Sequence, residues 1–133
     1  MAAPQQPLNA CPCGSAQPFN ACCGVYLGGT PAPTAQALMR SRYTAFTLHD
    51  APYLLATWHA STRPATLAFN TEAQPKWLGL KLIAHQIQDE HHASVEFVAR
   101  SKLNGRAHRL HEVSRFVRED ERWFYVDGVL DPA

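Results

Sequence analysis

Ala93-Ser-Val-Glu-Phe-Val-Ala-Arg-Ser-Lys-Leu103, then Asn104-Gly105, then Arg106-Ala-His-Arg-Leu-His-Glu-Val-Ser-Arg-Phe-Val-Arg118 reads as two alternating runs folded about a two-residue turn. A type I′ turn needs positive φ at both central positions, and Asn-Gly supplies it at least cost. The turn sets the register. Leu103 faces Arg106, Ala99 faces Leu110, Phe97 faces Glu112 and Val95 faces Ser114. One side of the hairpin then carries Val95, Phe97, Ala99, Leu110 and Phe116 with Glu112 among them. The other carries Arg100, Lys102, Arg109 and Arg115, interrupted by Glu96. A carboxylate on an apolar face must find a cation or keep its proton, and Arg42 is the expected partner for Glu112.

Outward from the hairpin, residues 77–88 and 122–127 alternate in the same way and flank it as further strands. Asp89-Glu90-His91-His92 and Glu119-Asp120-Glu121 are the polar turns between them. Before the strands the period is helical. Residues 35–49 place Met39, Tyr43 and Phe46 on one side, with Thr34 as N-cap. Asp50 caps a second helix containing Pro52, Tyr53, Leu54, Leu55 and Trp58, and a third, short helix is expected over 63–70, opened by Arg63-Pro64. Three helices followed by a four-stranded antiparallel meander make an α+β domain with the helices on one face of a curved sheet.

The first part of the chain has a different character. Cys11-Pro-Cys13-Gly14-Ser15 and Cys22-Cys23-Gly24 hold all four cysteines. Two pairs separated by eight residues can wrap one ion and present a tetrahedral thiolate set, which suits a structural zinc with no open coordination position. Disulfides and free thiols are the competing readings; adjacent cysteines pair only with strain, and no C-x-x-C spacing is present. Gly14 and Gly24 suit tight turns, and Phe19 packs the small loop. Residues 1–30 therefore read as a tail and zinc knuckle, and 31–133 as the α+β domain, joined by a breaker-rich linker over 25–33.

A chain of 133 residues, 46% apolar and with formal charge +1, supports one core and demands no polyanionic partner. Residues 1–10 lack a basic n-region and an apolar h-region, and no run is long enough to span a bilayer. With four thiols, this points to the cytoplasm.

Two resemblances add to this reading. The cysteine segment is similar to the SEC-C motif, the zinc-binding tail of the bacterial translocation ATPase SecA. That resemblance implies that Cys11, Cys13, Cys22 and Cys23 are the metal ligands and that the knuckle docks to a protein partner. The lysines common between the pairs in that motif are missing here, where Ala16, Gln17, Pro18, Phe19 and Asn20 are uncharged. The remainder resembles the YchJ-like family through Leu38-Met-Arg-Ser-Arg-Tyr-Thr-Ala-Phe46, Thr57-Trp58-His59, Trp77-Leu-Gly-Leu80, Glu112-Val-Ser-Arg-Phe116 and Trp123-Phe-Tyr-Val-Asp-Gly128. The family resemblance implies an NTF2-like cone with a pocket at its open end. It implies no reaction, because that fold hosts enzymes and binding proteins alike.

The expected pocket wall is Met39, Arg42, Tyr43, Tyr53, Trp58, His59, Phe97, Glu112, Ser114 and Phe116, a cup suited to a small, partly apolar ligand. Three functions follow. The first is a non-enzymatic interaction or adaptor protein that docks through the knuckle. The second is a small-molecule enzyme with Glu112 and His59 as general acid and base. The third is an RNA-associated protein using the basic stripe, although no aromatic side chain interleaves it. The outer sheet face is also a candidate homodimer surface.

Overall fold

The structure, a computed structural model, describes residues 10–67 and 75–131. After a single 3-10 turn at Phe19–Ala21 come three helices, α1 (Cys23–Leu27), α2 (Ala35–Leu48) and α3 (Ala51–Ala56). Four strands follow, β1 (Lys76–Asp89), β2 (His92–Leu103), β3 (Arg106–Glu119) and β4 (Arg122–Leu130), forming one antiparallel sheet in the order β1-β2-β3-β4.

The Asn-Gly turn places the hairpin as its chemistry requires. Asn104 and Gly105 have φ of 52° and 79°. Leu103 pairs with Arg106, Ala99 with Leu110, Phe97 with Glu112 and Val95 with Ser114. Val95, Phe97, Ala99, Ser114 and Phe116 are all buried on the inner face. Thr34 and Asp50 cap their helices, accepting from the Ala37 and Tyr53 amides at 3.0 and 3.1 Å.

Several features differ from the sequence reading. Helix α3 stops at Ala56, so Trp58, expected within it, lies beyond its end in a bridge to Tyr125. The segment 25–33 is not wholly linker, because the Cys22-Cys23 pair opens α1. Gly24 sits inside that helix, and it is required by close approach rather than by positive φ: a Cβ there would lie 2.7 Å from the Phe19 carbonyl oxygen. Residues 63–67 are not helical; Arg63 Nε reaches back to the Trp58 carbonyl at 3.0 Å, while Thr62 Oγ1 donates to Val126 O at 2.6 Å. The Thr62 bond ties this stretch to β4 and the Arg63 bond turns it back on Trp58, and the rest of the expected helix, over 68–70, lies outside the described residues. Strand β1 also slips register against β2 at three places, leaving Leu78, Ile83 and Gln88 as the extra residues. Such bulges bend a strand, so curvature is concentrated in β1.

The expected Arg42–Glu112 ion pair is not formed. Arg42 is 4% exposed and donates through Nη1 to Leu54 O at 2.8 Å and to Thr57 Oγ1 at 2.7 Å. Its guanidinium lies 4.6 Å from the Tyr125 ring centroid and 5.1 Å from that of Trp58. Burial pulls its pKa down to about 10. Glu112 instead accepts from Ser114 Oγ on its own strand and lies against Gly128, where a Cβ would collide with the carboxylate. An interior guanidinium needs acceptors at bonding distance, and the C-terminal end of α3 supplies them; Glu112 acts on it only through the longer-range field.

Arg42→Met, which leaves the Leu54 carbonyl with only a long bond from Thr57 Oγ1, is expected to cost about 2–3 kcal/mol in urea unfolding. Glu112→Gln should cost less than about 1 kcal/mol. Equal losses in the two variants would restore the direct pair.

Candidate metal centre

The knuckle wraps its own backbone before it presents any sulfur. Cys11 N donates to Gln17 O at 2.8 Å, Gly14 N to Cys11 O at 3.2 Å, and Ala10 bridges to Pro18, closing the first loop. Gly14 takes φ of 83°, which turns the chain after Cys13. The second pair is delivered by the Phe19–Ala21 turn and the first residue of α1. Phe19 packs against the core beside Gly24, as the sequence led us to expect.

All four Sγ atoms lie within 4.8 Å of one another. Cys13 Sγ and Cys22 Sγ are 3.7 Å apart. A tetrahedron with metal–sulfur bonds of ~2.3 Å has edges of about 3.8 Å, so this spacing fits four ligands around one ion. It is far from the ~2.05 Å of a disulfide, and none of the four cysteines is bonded to another. Cys11, Cys13 and Cys23 are buried and Cys22 half-buried, so the set opens outward only at Cys22. The donor set can hold one metal ion.

The electrostatics suit a cation. Hydrogen bonding from Cys23 draws the Cys13 thiol down to about 4, with Ser15 adding to the effect. The Cys23 thiol is pushed up by that same bond and by burial, and burial pushes Cys22 up. Four sulfurs this close cannot all ionise without a positive charge among them. Helix α2 contributes the surrounding polar groups. Arg40 Nη1 lies 3.0 Å from Cys13 O and 3.8 Å from Cys13 Sγ, and Thr44 Oγ1 is 3.6 Å from Cys11 Sγ. Ser15 Oγ lies 3.1 Å from Cys22 Sγ. Arg40 and Thr44 are one helical turn apart, a spacing that puts them on one face, and that spacing was the available signal for both.

The other candidate residues do not form one site. Met39, Arg42, Tyr43, Phe97, Ser114 and Phe116 are buried core, and Tyr53, Trp58 and Glu112 are half-buried. Tyr53 OH is 2.7 Å from Ser41 Oγ, and Trp58 meets Tyr125 edge-on at 5.2 Å. Tyr125 is the missed member of this group. His59 faces elsewhere: its ring nitrogens contact Ser61 Oγ at 2.7 Å and Glu119 Oε2 at 2.8 Å. Glu119 lies seven residues along β3 from Glu112, a separation of about 20 Å along a strand. His59 and Glu112 therefore do not converge as an acid–base pair. The basic stripe also loses a member, because Arg115 Nε bonds Asp127 Oδ1 at 2.6 Å, while Glu96 is held by His111 at 2.7 Å.

Comparison with known proteins agrees with this architecture. The family model described as YchJ_M-like, the middle NTF2-like domain of YchJ, matches residues 34–128. A UPF0225 protein of Polaromonas naphthalenivorans is 60% identical over 131 residues, covering 89% of this chain and 95% of its own. One from Bordetella parapertussis is 56% identical, covering 90% and 91%. The solution structure of a SEC-C motif containing protein from Rhodopseudomonas palustris superposes with a TM-score of 0.80 at 30% identity, over 90% of this chain and 97% of that one. A crystal structure of a SEC-C motif containing protein from Psychrobacter arcticus gives 0.72 at 27% identity, over 95% and 85%. With the cysteine cluster, the bent sheet and these matches together, the chain belongs to the YchJ-like, UPF0225 family.

Proposed function

We propose that this protein is a non-enzymatic interaction module in which Cys11, Cys13, Cys22 and Cys23 hold one structural Zn2+ and the knuckle docks to a protein partner. The observation that carries the reading is the closed four-sulfur set, which fits zinc in spacing and donor type. Zinc there supplies positive charge and a crosslink. Four thiolates fill its shell, so the site offers no place for an activated water. Arg40 keeps the Cys13 sulfur oriented and partly neutralised from outside the shell. The cysteines survive as thiolates in a reducing compartment, the cytoplasm.

The exposed rim of the knuckle is Gly14, Ala16, Gln17, Asn20 and Ala21. It carries no charge, so recognition there rests on shape and hydrogen bonds. The enzymatic alternative lacks an acid and a base facing one space, since His59 is engaged by Glu119 and Glu112 by Ser114. The RNA alternative is left with a shorter stripe once Arg115 is neutralised by Asp127.

Native mass spectrometry of the reduced protein should show one zinc per chain. Its removal should cost at least ~2 kcal/mol, seen as a melting shift of about 10 °C. A metal-free protein with unchanged melting would end the zinc reading. Arg40→Ala should speed zinc transfer to a chromogenic chelator by about 10–100-fold, with Arg40→Lys intermediate. For docking, a photo-crosslinking residue in place of Asn20 should give a discrete protein adduct in cells that disappears in the Cys22→Ser background. Failure to crosslink from both Asn20 and Gln17 would remove the knuckle as the docking surface.

A further inference from the structure

The near-neutral net charge hides a separation of charge along the sheet. The β1–β2 and β3–β4 turns carry Asp89, Glu90, Glu119, Asp120 and Glu121. Toward the opposite end, the outer face carries Lys81, Arg100, Lys102 and Arg109, all exposed. Arg100 and Arg109 are directly opposite each other on β2 and β3. Like charges so placed destabilise a sheet. Among the described residues no carboxylate comes within 4 Å of Lys81, Arg100 or Arg109.

The same place is recessed. On β1, Gly79 is the partner of Arg100, and a Cβ on it would meet nothing within 4 Å. On either side, the bulges turn Leu78 and Ile83 into solvent, 54% and 47% exposed. Together with Val98 and the three cations they line a groove of about 400 Å³. Two exposed aliphatic side chains flank a cationic pair that no described carboxylate compensates, over a glycine floor. Among the described residues no aromatic ring lines this groove, so bases would find no stacking platform there.

We infer that this outer groove is a second docking site, independent of the cysteine cluster, for an acidic protein segment that alternates carboxylates with aliphatic side chains. Carboxylates would seat on Arg100 and Arg109, cancelling their mutual repulsion, and Lys81 would extend the contact along β1. The aliphatic residues would cover Leu78 and Ile83.

The test is fluorescence anisotropy of the full zinc-loaded chain with a labelled short peptide alternating Leu and Glu, against a Ser/Glu peptide of equal charge and an oligouridylate. The Leu/Glu peptide should bind tightest and weaken with salt. R109E gives Arg100 an opposite charge across the strands, so the fold is kept and should melt higher, while peptide affinity should fall by about tenfold or more. L78S/I83S should lower affinity for the Leu/Glu peptide by at least about fivefold and leave the Ser/Glu peptide unchanged. Metal content should be unaffected in both, so failure here is separable from failure of the zinc reading. The inference is overturned by no peptide binding, by undiminished binding in R109E, or by tighter binding of oligouridylate. It is also overturned by a concentration-dependent dimer that R109E dissolves, which would assign the groove to a second copy of the chain.

Discussion

Helix α2 is buried on more than one side, and its polar residues have to be satisfied inside the protein. Ala35, Leu38, Met39, Ser41, Arg42, Tyr43, Thr44 and Ala45 are all buried within its fourteen residues. A surface helix would leave a polar stripe to water. Here Ser41 bonds Leu38 O and Tyr53 OH, Arg42 bonds the end of α3, and Thr44 meets Cys11. The Ser41–Leu38 bond stays within α2, the bonds to Tyr53 and Leu54 reach α3, and Thr44 reaches the cysteine loop. The helix is therefore held in rotation and depth by polar contacts, while Tyr43 and Phe46 fill the space against Trp77 of β1 at 5.7 and 6.4 Å.

Curvature of the sheet follows from the same requirement. A flat sheet could not reach both Trp77 on β1 and Tyr125 on β4 around one helix. Three irregularities in β1 and one in β4, where Val126 is the extra residue opposite Arg115 and Phe116, supply the bend. Bending has a second consequence on the outside. The extra residue at a bulge has no cross-strand partner, so Leu78 and Ile83 turn outward without the pairing that would cover them. Inner packing and outer exposure are thus two results of one geometric device.

Register was legible in the sequence because a two-residue Asn-Gly turn leaves a single pairing, and one slip would have moved Phe97 and Phe116 into water. The helix starts were legible because Thr34 and Asp50 carry the capping oxygen, and the cysteine set because its spacing is local. The partner of Arg42 was not legible. Its acceptors, Leu54 O and Thr57 Oγ1, are a backbone carbonyl and a hydroxyl, neither of which announces itself as a counterpart to a cation. Glu112 looked right by charge alone and is bonded within its own strand. Nor were the β1 bulges legible, since Leu78 and Ile83 continue an apolar run that an unbroken strand would also accept. The 63–67 segment misled for a related reason: Pro64 suits a helix start, but Thr62 is held by a bond to Val126 of β4 and Arg63 by one back to Trp58, neither of which a local pattern shows.

The cysteine centre belongs to this packing problem as much as to metal chemistry. Cys11, Cys13 and Cys23 lie in the same buried cluster as Leu38, Met39 and Tyr43, and Arg40 and Thr44 reach them from α2. Sulfurs buried that close repel as thiolates, and as thiols they offer one another only weak donors and weak acceptors, so the metal-free arrangement gains little in either protonation state. An ion that satisfies all four fixes the knuckle and, through Arg40 and Thr44, one face of α2. Because α2 also packs on α3 and the inner sheet face, the placement of Cys11, Cys13 and Cys23 is linked through it to the same buried cluster that holds Phe116 of β3.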